Sequence, residues 1–226
     1  MTPFQLVRIL QLTDSFFPVG AFAYSDGLES AAAQGRIHDG DSLRGWLNHF
    51  LDNVFVPCDG LAFLKCALAM QRGDFNTICS IDEELTAIKP AASIRNSSRS
   101  IGKRLSVGHE ATCAGSNPLK DIWDALPNCN APVAYALALT HSGIDERDAL
   151  LAFGYSRLAG IVSAGMRLIA VGQQQAQALL SETLTSLPVA VERIVQMQGE
   201  PLRSFSPLMD IEQMNHRHVY SRLFRS

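Results

Sequence analysis

The groups able to hold a metal, attack a carbonyl or move a proton are spaced in ways that assemble none of the usual constellations. The six histidines, at 38, 49, 109, 141, 216 and 218, contain no His-Glu-x-x-His pair. His216 and His218 are two apart and point to different sides of a helix, so solvated side chains outweigh a weak surface nickel or zinc site there. The five cysteines, at 58, 66, 79, 113 and 129, form no Cys-x-x-Cys pair and fit neither a disulfide framework nor a zinc site. Buried free thiols are expected. Asp82, Glu83 and Glu84 are adjacent, so their carboxylates diverge on a helix, and a solvated helix start is expected rather than a magnesium cluster. Gly160, Ser163 and Gly165 are one residue too widely spaced for a nucleophile elbow and lie in a helical run. Gly102-Lys103 is followed by Arg104, and Ser97 stands where a phosphate-binding loop needs its first glycine. No catalytic residue, metal ligand or cofactor is assigned on these grounds.

The elements that would position any site are helices. Trp46, Leu47, Phe50, Leu51, Val54 and Phe55 recur on one helix face. Leu150, Gly154, Leu158, Ile161, Val162, Gly165 and Leu168 do so over more than five turns, and no alternating run bounded by turn residues predicts a strand. The expected fold is all-α, a single-domain helical bundle around one long central helix from about Asp145 to Val171. Gly154, Gly160, Ala164 and Gly165 in that helix predict close approach of neighbouring backbones. Asp41 or Ser42 is expected to cap the Trp46 helix, and Pro57, Gly108, Gly115 to Pro118 and Pro188 to mark boundaries.

Composition narrows the setting. With 19 basic and 22 acidic residues and no Lys/Arg block, the chain lacks a nucleic-acid footprint. The start, Met1 to Phe4, shows no basic export region. The most apolar run, Leu158 to Val171, is shorter than the roughly 20 residues of a membrane span and contains Arg167. A cytoplasmic protein without membrane contact is expected.

Two segments are unusual for inert structure. Leu10 to Glu29 combines a turn at Asp14, Ser15, Pro18 and Gly20 with Phe16, Phe17, Phe22 and Tyr24, and places Gly27 in a helical stretch. Phe16, Phe17 and Phe22 are expected to plug the core of an interhelical corner, while Tyr24, Ser25, Asp26 and Glu29 face outward with Asp26 and Glu29 on one helix face. The tail from Ser204 to Ser226 carries Ile211, Met214, Tyr220, Leu223 and Phe224 together with Arg217, Arg222 and Arg225. Aromatic and arginine side chains are enriched at interfaces. The chain is therefore divided into a helical body, 1–203, and a partner-docking tail, 204–226.

These segments resemble the UreF family of urease accessory proteins. The family pattern is carried as Leu10, Asp14, Ser15, Pro18, Gly20, Phe22, Ser25, Gly27, Leu28 and Glu29. Ser163 to Leu168, containing Arg167, followed by Gly172 and Gln173, is similar to the family's long helix. Asp210, Ile211, Met214, His216 and Tyr220 to Ser226 are similar to its C-terminus, with Arg217 where an acidic residue is more usual. The resemblance implies an all-helical homodimer that acts as a chaperone rather than an enzyme. It implies binding to UreD and recruitment of the GTPase UreG, so that nickel reaches the urease apoprotein. The expected partner-binding residues are Ser15, Pro18, Gly20, Phe22, Tyr24, Ser25, Gly27, Glu29, Arg167, Gln173, Asp210, His216, Tyr220, Arg222, Leu223, Phe224 and Arg225. The tail is expected to dock on UreD and to order as it does so, the corner to receive UreG, and Arg222 or Arg225 to be the arginine donated to it. The alternative is a small helical enzyme, a hydrolase or diphosphate enzyme.

Overall fold

A computed structural model describes residues 1–113 and 119–225 and contains helices and turns, with no strand among the described residues. The predicted all-α fold is present. Eleven α-helices are described: α1 (Pro3–Thr13), α2 (Leu28–Ala33), α3 (Gly40–Phe50), α4 (Leu61–Gln71), α5 (Phe75–Ile88), α6 (Ala92–Thr112), α7 (Lys120–Ala125), α8 (Ala131–His141), α9 (Glu146–Leu168), α10 (Gln173–Gln196) and α11 (Pro207–Asn215).

The long helix α9 packs against α1, α2, α3, α4, α8 and α10. The most enclosed element is instead α8, whose residues from Ala131 to Leu139 are all buried. Core packing runs through Phe63, Phe153 and Tyr135, with ring centroids 5.3 and 5.1 Å from Phe153. Two glycines of α9 make the close approaches their type suggests: a Cβ on Gly154 would stand 2.7 Å from Leu187, and one on Gly165 2.7 Å from Leu43. Gly160 departs from this, with nothing within 4 Å.

Several expected boundaries are crossed. Pro57 does not end a helix; α3 continues through wide, π-type turns from Leu51 to Gly60 into α4. The widening accommodates the proline ring, and the Pro57 carbonyl accepts a hydrogen bond from the Arg203 N–H at 2.9 Å. Pro188 lies inside α10 on its exposed side, where a loosened carbonyl meets solvent. Gly108 lies inside α6, because Phe17 packs where its side chain would be. The cap of α3 is Asp39, which accepts from Ser42 N–H at 2.8 Å, rather than Asp41 or Ser42. The boundary expected at Gly115 to Pro118 lies outside the described residues. Asp82 is not solvated: fully buried, it accepts N–H bonds from Asn128, Cys129 and Asn130 at 2.7–2.8 Å and fixes the turn entering α8.

The stretch Gly40–Gln71 and helix α9 are long and apolar enough to cross a membrane by composition, yet 67% and 56% of their apolar windows are buried inside the protein. Core helices satisfy the same test.

His109 is a further buried polar group, set between His141 (5.6 Å) and Trp123 (6.1 Å). Burial, with the nearby His141 and Arg8, pushes its pKa down to about 4. The folded state therefore holds it neutral while the unfolded chain protonates it near 6.5. Its contribution is present above that value and is lost as pH falls toward about 4. Thermal unfolding should show stability declining across this window, and His109→Gln should flatten that part of the profile.

Candidate functional site

The two segments singled out by sequence lie against each other. The corner begins after α1, where Gly20 takes φ 66° beneath the Arg104 guanidinium. The 3₁₀ turn Ala21–Ala23 follows. Asp26 and Gly27 then have φ 52° and 88°, and the Leu28 N–H bonds the Ser25 carbonyl at 3.0 Å. Two successive positive φ values are what an Asp-Gly pair in a tight turn supplies. This turn starts α2, so Gly27 precedes the helix instead of lying within it. A Cβ at Gly27 would stand 3.1 Å from the Gln213 backbone nitrogen, so its hydrogen lets α11 cross closely.

Glu29 is the hub. Expected at the surface, it is 3% exposed because the tail covers it. Its carboxylate meets His216 Nε2 at 2.6 Å and accepts N–H bonds from Leu223 at 2.5 Å and Phe224 at 3.3 Å. The Glu29 N–H in turn donates to the Ser25 hydroxyl at 3.4 Å. His216, expected to be solvated, is buried against this carboxylate, whereas His218 is exposed and takes a bond from its neighbour Arg217. One turn along α2, Ser30 and Gln34 donate to the buried Glu212 at 2.6 and 2.9 Å, and Arg36 pairs with it at 2.8 Å. Thus α2 holds α11 through one carboxylate and the following arm through another.

The arm ends on α9 and the corner. Phe224 is buried beneath the Arg167 guanidinium, 4.2 Å from its ring centroid. Arg167 also donates to the Phe22 carbonyl at 2.8 Å, and burial lowers its pKa. The Arg225 N–H donates to the Ala23 carbonyl at 2.8 Å. The seat of the arm is therefore on its own chain. Side chains that make no use of the seat point outward: Tyr220 is fully exposed, Leu223 is 69% exposed, and Arg222 and Arg225 are exposed.

Of the remaining predicted residues, Tyr24 and Phe22 are half-buried at the arm's edge, and Ser15 and Pro18 are exposed on the preceding turn. Of the three corner phenylalanines expected in the core, only Phe17 is buried; Phe16 is 94% exposed. Gln173, exposed in the first turn of α10, makes no hydrogen bond to this cluster among the described residues. Asp26 and Glu29 do not share a helix face: Asp26 lies in the turn, buried, and pairs with Arg157 at 2.5 Å. Asp210 is half-buried beside a small cleft of about 20 Å³ reaching this pair, and burial raises its pKa.

That cleft exposes what sequence reasoning missed. Lys89 and Asp59, 7% and 5% exposed, pair at 2.7 Å close to Asp26–Arg157. Burial alone would lower the pKa values of Lys89 and Arg157, but Asp59 and Asp26 reverse the effect and hold both cations charged. No spacing rule marks these four residues, which come from four separate segments. The Asp26-Gly27 turn was the one local signal. Among the described residues, no group of three or more metal-ligating side chains converges.

In the assembled site buried charges fix a backbone whose aromatic and arginine side chains project. The UreF family model matches residues 37–184. A urease accessory protein UreF from Methylobacillus flagellatus is 34% identical over 224 residues, covering 98% of this chain and 97% of that one. Those of Microcystis aeruginosa and a Nostoc species are 32% and 30% identical, with 98% or more of each chain covered. The fold and surface define a helical accessory protein. The chain belongs to the UreF family of urease accessory proteins.

Proposed function

We propose that this protein is a non-catalytic scaffold of urease maturation, which binds UreD and recruits the GTPase UreG so that nickel is delivered to the urease apoprotein. The observation that carries this reading is the clamped arm. Its backbone is fixed by Glu29 and Ala23 while Tyr220, Arg222 and Leu223 are left for another molecule. A preordered loop with projecting aromatic and arginine side chains loses little entropy on binding.

Because the arm lies on the corner, the two form one surface, and a division of tail to UreD and corner to UreG is replaced by a single assignment. The exposed cations Arg222 and Arg225 favour the GTPase as the partner here, with an arginine available beside its phosphates. A second copy of the chain is proposed to pack on the outer face of α9, where Tyr155 is 44% exposed.

Phe224→Ala tests the seat. Removing a buried phenylalanine costs about 3 kcal/mol or more, here concentrated on the arm. Amide exchange at Leu223 and Phe224 should accelerate, and UreG should no longer co-purify, while the helical circular dichroism spectrum stays unchanged. Retained UreG binding with a freely exchanging arm would remove the arm from the reading.

A further inference from the structure

We propose that the exposed face of α6, with the adjoining face of α1 and the Phe16–Phe17 turn, is a docking track for an acidic amphipathic helix of a partner protein, distinct from the arm. The proposal rests on the scaffold reading and adds a second surface to it.

Charge comes first. Arg36, Arg44, Lys89, Arg147, Arg157 and Arg193 each meet a carboxylate within 4 Å. Arg99, Lys103 and Arg104 of α6 meet none among the described residues, and α6 contains no acidic residue before Glu110. Among the packed neighbours α8 has no acid; on α11 Glu212 is committed to α2 and Arg36, and the half-buried Asp210 lies at the cavity reaching Asp26 and Arg157. A row of uncompensated cations on one helix selects an acidic partner and speeds its encounter.

Apolar surface continues the same row. Lys103, Val107 and Ala111 are four residues apart, as are Arg104 and Gly108, so the cationic face runs directly into an apolar one. Val107 is 66% exposed, and on α1 and the turn after it Val7, Leu10 and Phe16 are 59%, 60% and 94% exposed. Together α1, Phe16, Phe17 and the end of α6 line an open groove of about 550 Å³, with Gly108, Ala111 and Asp14 among its lining. From Arg99 to Ala111 the track is about 18 Å long, or roughly three turns of a docked helix. A helix carrying apolar residues at i, i+3, i+4 and i+7, with Asp or Glu toward one end, matches both halves. Of this chain's own exposed acids, Asp52, Glu182 and Glu192 are already paired with arginines. Nucleic acid would use the cations and leave the apolar half uncovered.

The test uses the full-length protein and labelled helical peptides of about four turns, read by fluorescence anisotropy. The acidic amphipathic peptide should bind about ten-fold or more tighter than a lysine version with the same apolar face, and than an acidic version with serines on that face. Raising salt should weaken it. Arg99→Glu with Lys103→Glu should invert the preference between acidic and lysine peptides, and Leu10→Ser with Val107→Ser should weaken both, with melting temperatures confirming that the variants fold. Equal binding of all three peptides, absence of binding, or equally tight binding of a single-stranded oligonucleotide would overturn the proposal. Tyr220→Ala, which disables the arm surface, should leave peptide binding unchanged, so failure of either surface is seen separately.

Discussion

Glu29→Ala should destabilise the protein by about 3–5 kcal/mol, a large share of the 5–15 kcal/mol by which domains are held folded. The carboxylate is buried and satisfies three donors at once: His216 and the N–H groups of Leu223 and Phe224. Its removal strands all three, two of them in buried contacts, and stranded buried donors cost more than a made bond contributes. Glu29→Gln should lose roughly half as much, since one amide oxygen still accepts while the NH₂ opposes the remaining donors. Chemical denaturation will read both values. Neither variant is expected to recruit UreG, because the arm needs Glu29 for its backbone position. A Glu29→Ala protein within about 0.5 kcal/mol of the parent would show that the arm is not held this way.

The second large effect belongs to the Lys89–Asp59 pair. Asp59→Ala leaves the Lys89 ammonium buried with no carboxylate in contact, and a loss of about 3–5 kcal/mol is expected. The double change Asp59→Leu with Lys89→Met removes both charges while filling similar volume, and it should recover most of that loss. The sign of any pH effect is fixed by the raised pKa of Lys89. Its contribution is complete below the unfolded lysine value near 10.4 and disappears only as pH climbs through the higher folded value. In Asp59→Ala burial is left unopposed and lowers the Lys89 pKa, so the loss should be full at pH 6 and smaller at pH 9, where the stranded lysine can shed its proton. If the double variant is as unstable as the single one, packing at this cleft, and not the stranded charge, sets the cost.

Apolar periodicity carried most of the fold into the sequence. The Trp46 face and the Leu150 to Leu168 face are buried as spacing predicts, because a 3.6-residue stripe has one way to leave water. Pro57 and Pro188 misled for opposite physical reasons: one is absorbed by widened turns, the other faces solvent where a bent carbonyl finds water. The residues of the site were legible by type, but their orientation was not. Glu29, Asp26 and His216 read as surface groups because charge at short range gives no sign of a distant partner. Glu29 meets His216 across 187 residues, and Asp26 meets Arg157 across 131. The aromatic and arginine content of the tail gave no sign that Phe224 and the backbone beside it seat on this chain's own corner and α9.

The central claim is that the exposed side chains of a self-seated arm recruit the partner GTPase. The most direct measurement is co-purification of UreD and UreG with Tyr220→Ala/Arg222→Ala, alongside nickel-dependent urease activation and a melting curve. Both side chains are exposed, so stability should change by no more than about 0.5 kcal/mol. The account predicts an unchanged melting temperature, retained UreD, lost UreG and failed activation. Normal UreG recruitment and normal activation by this variant would contradict it.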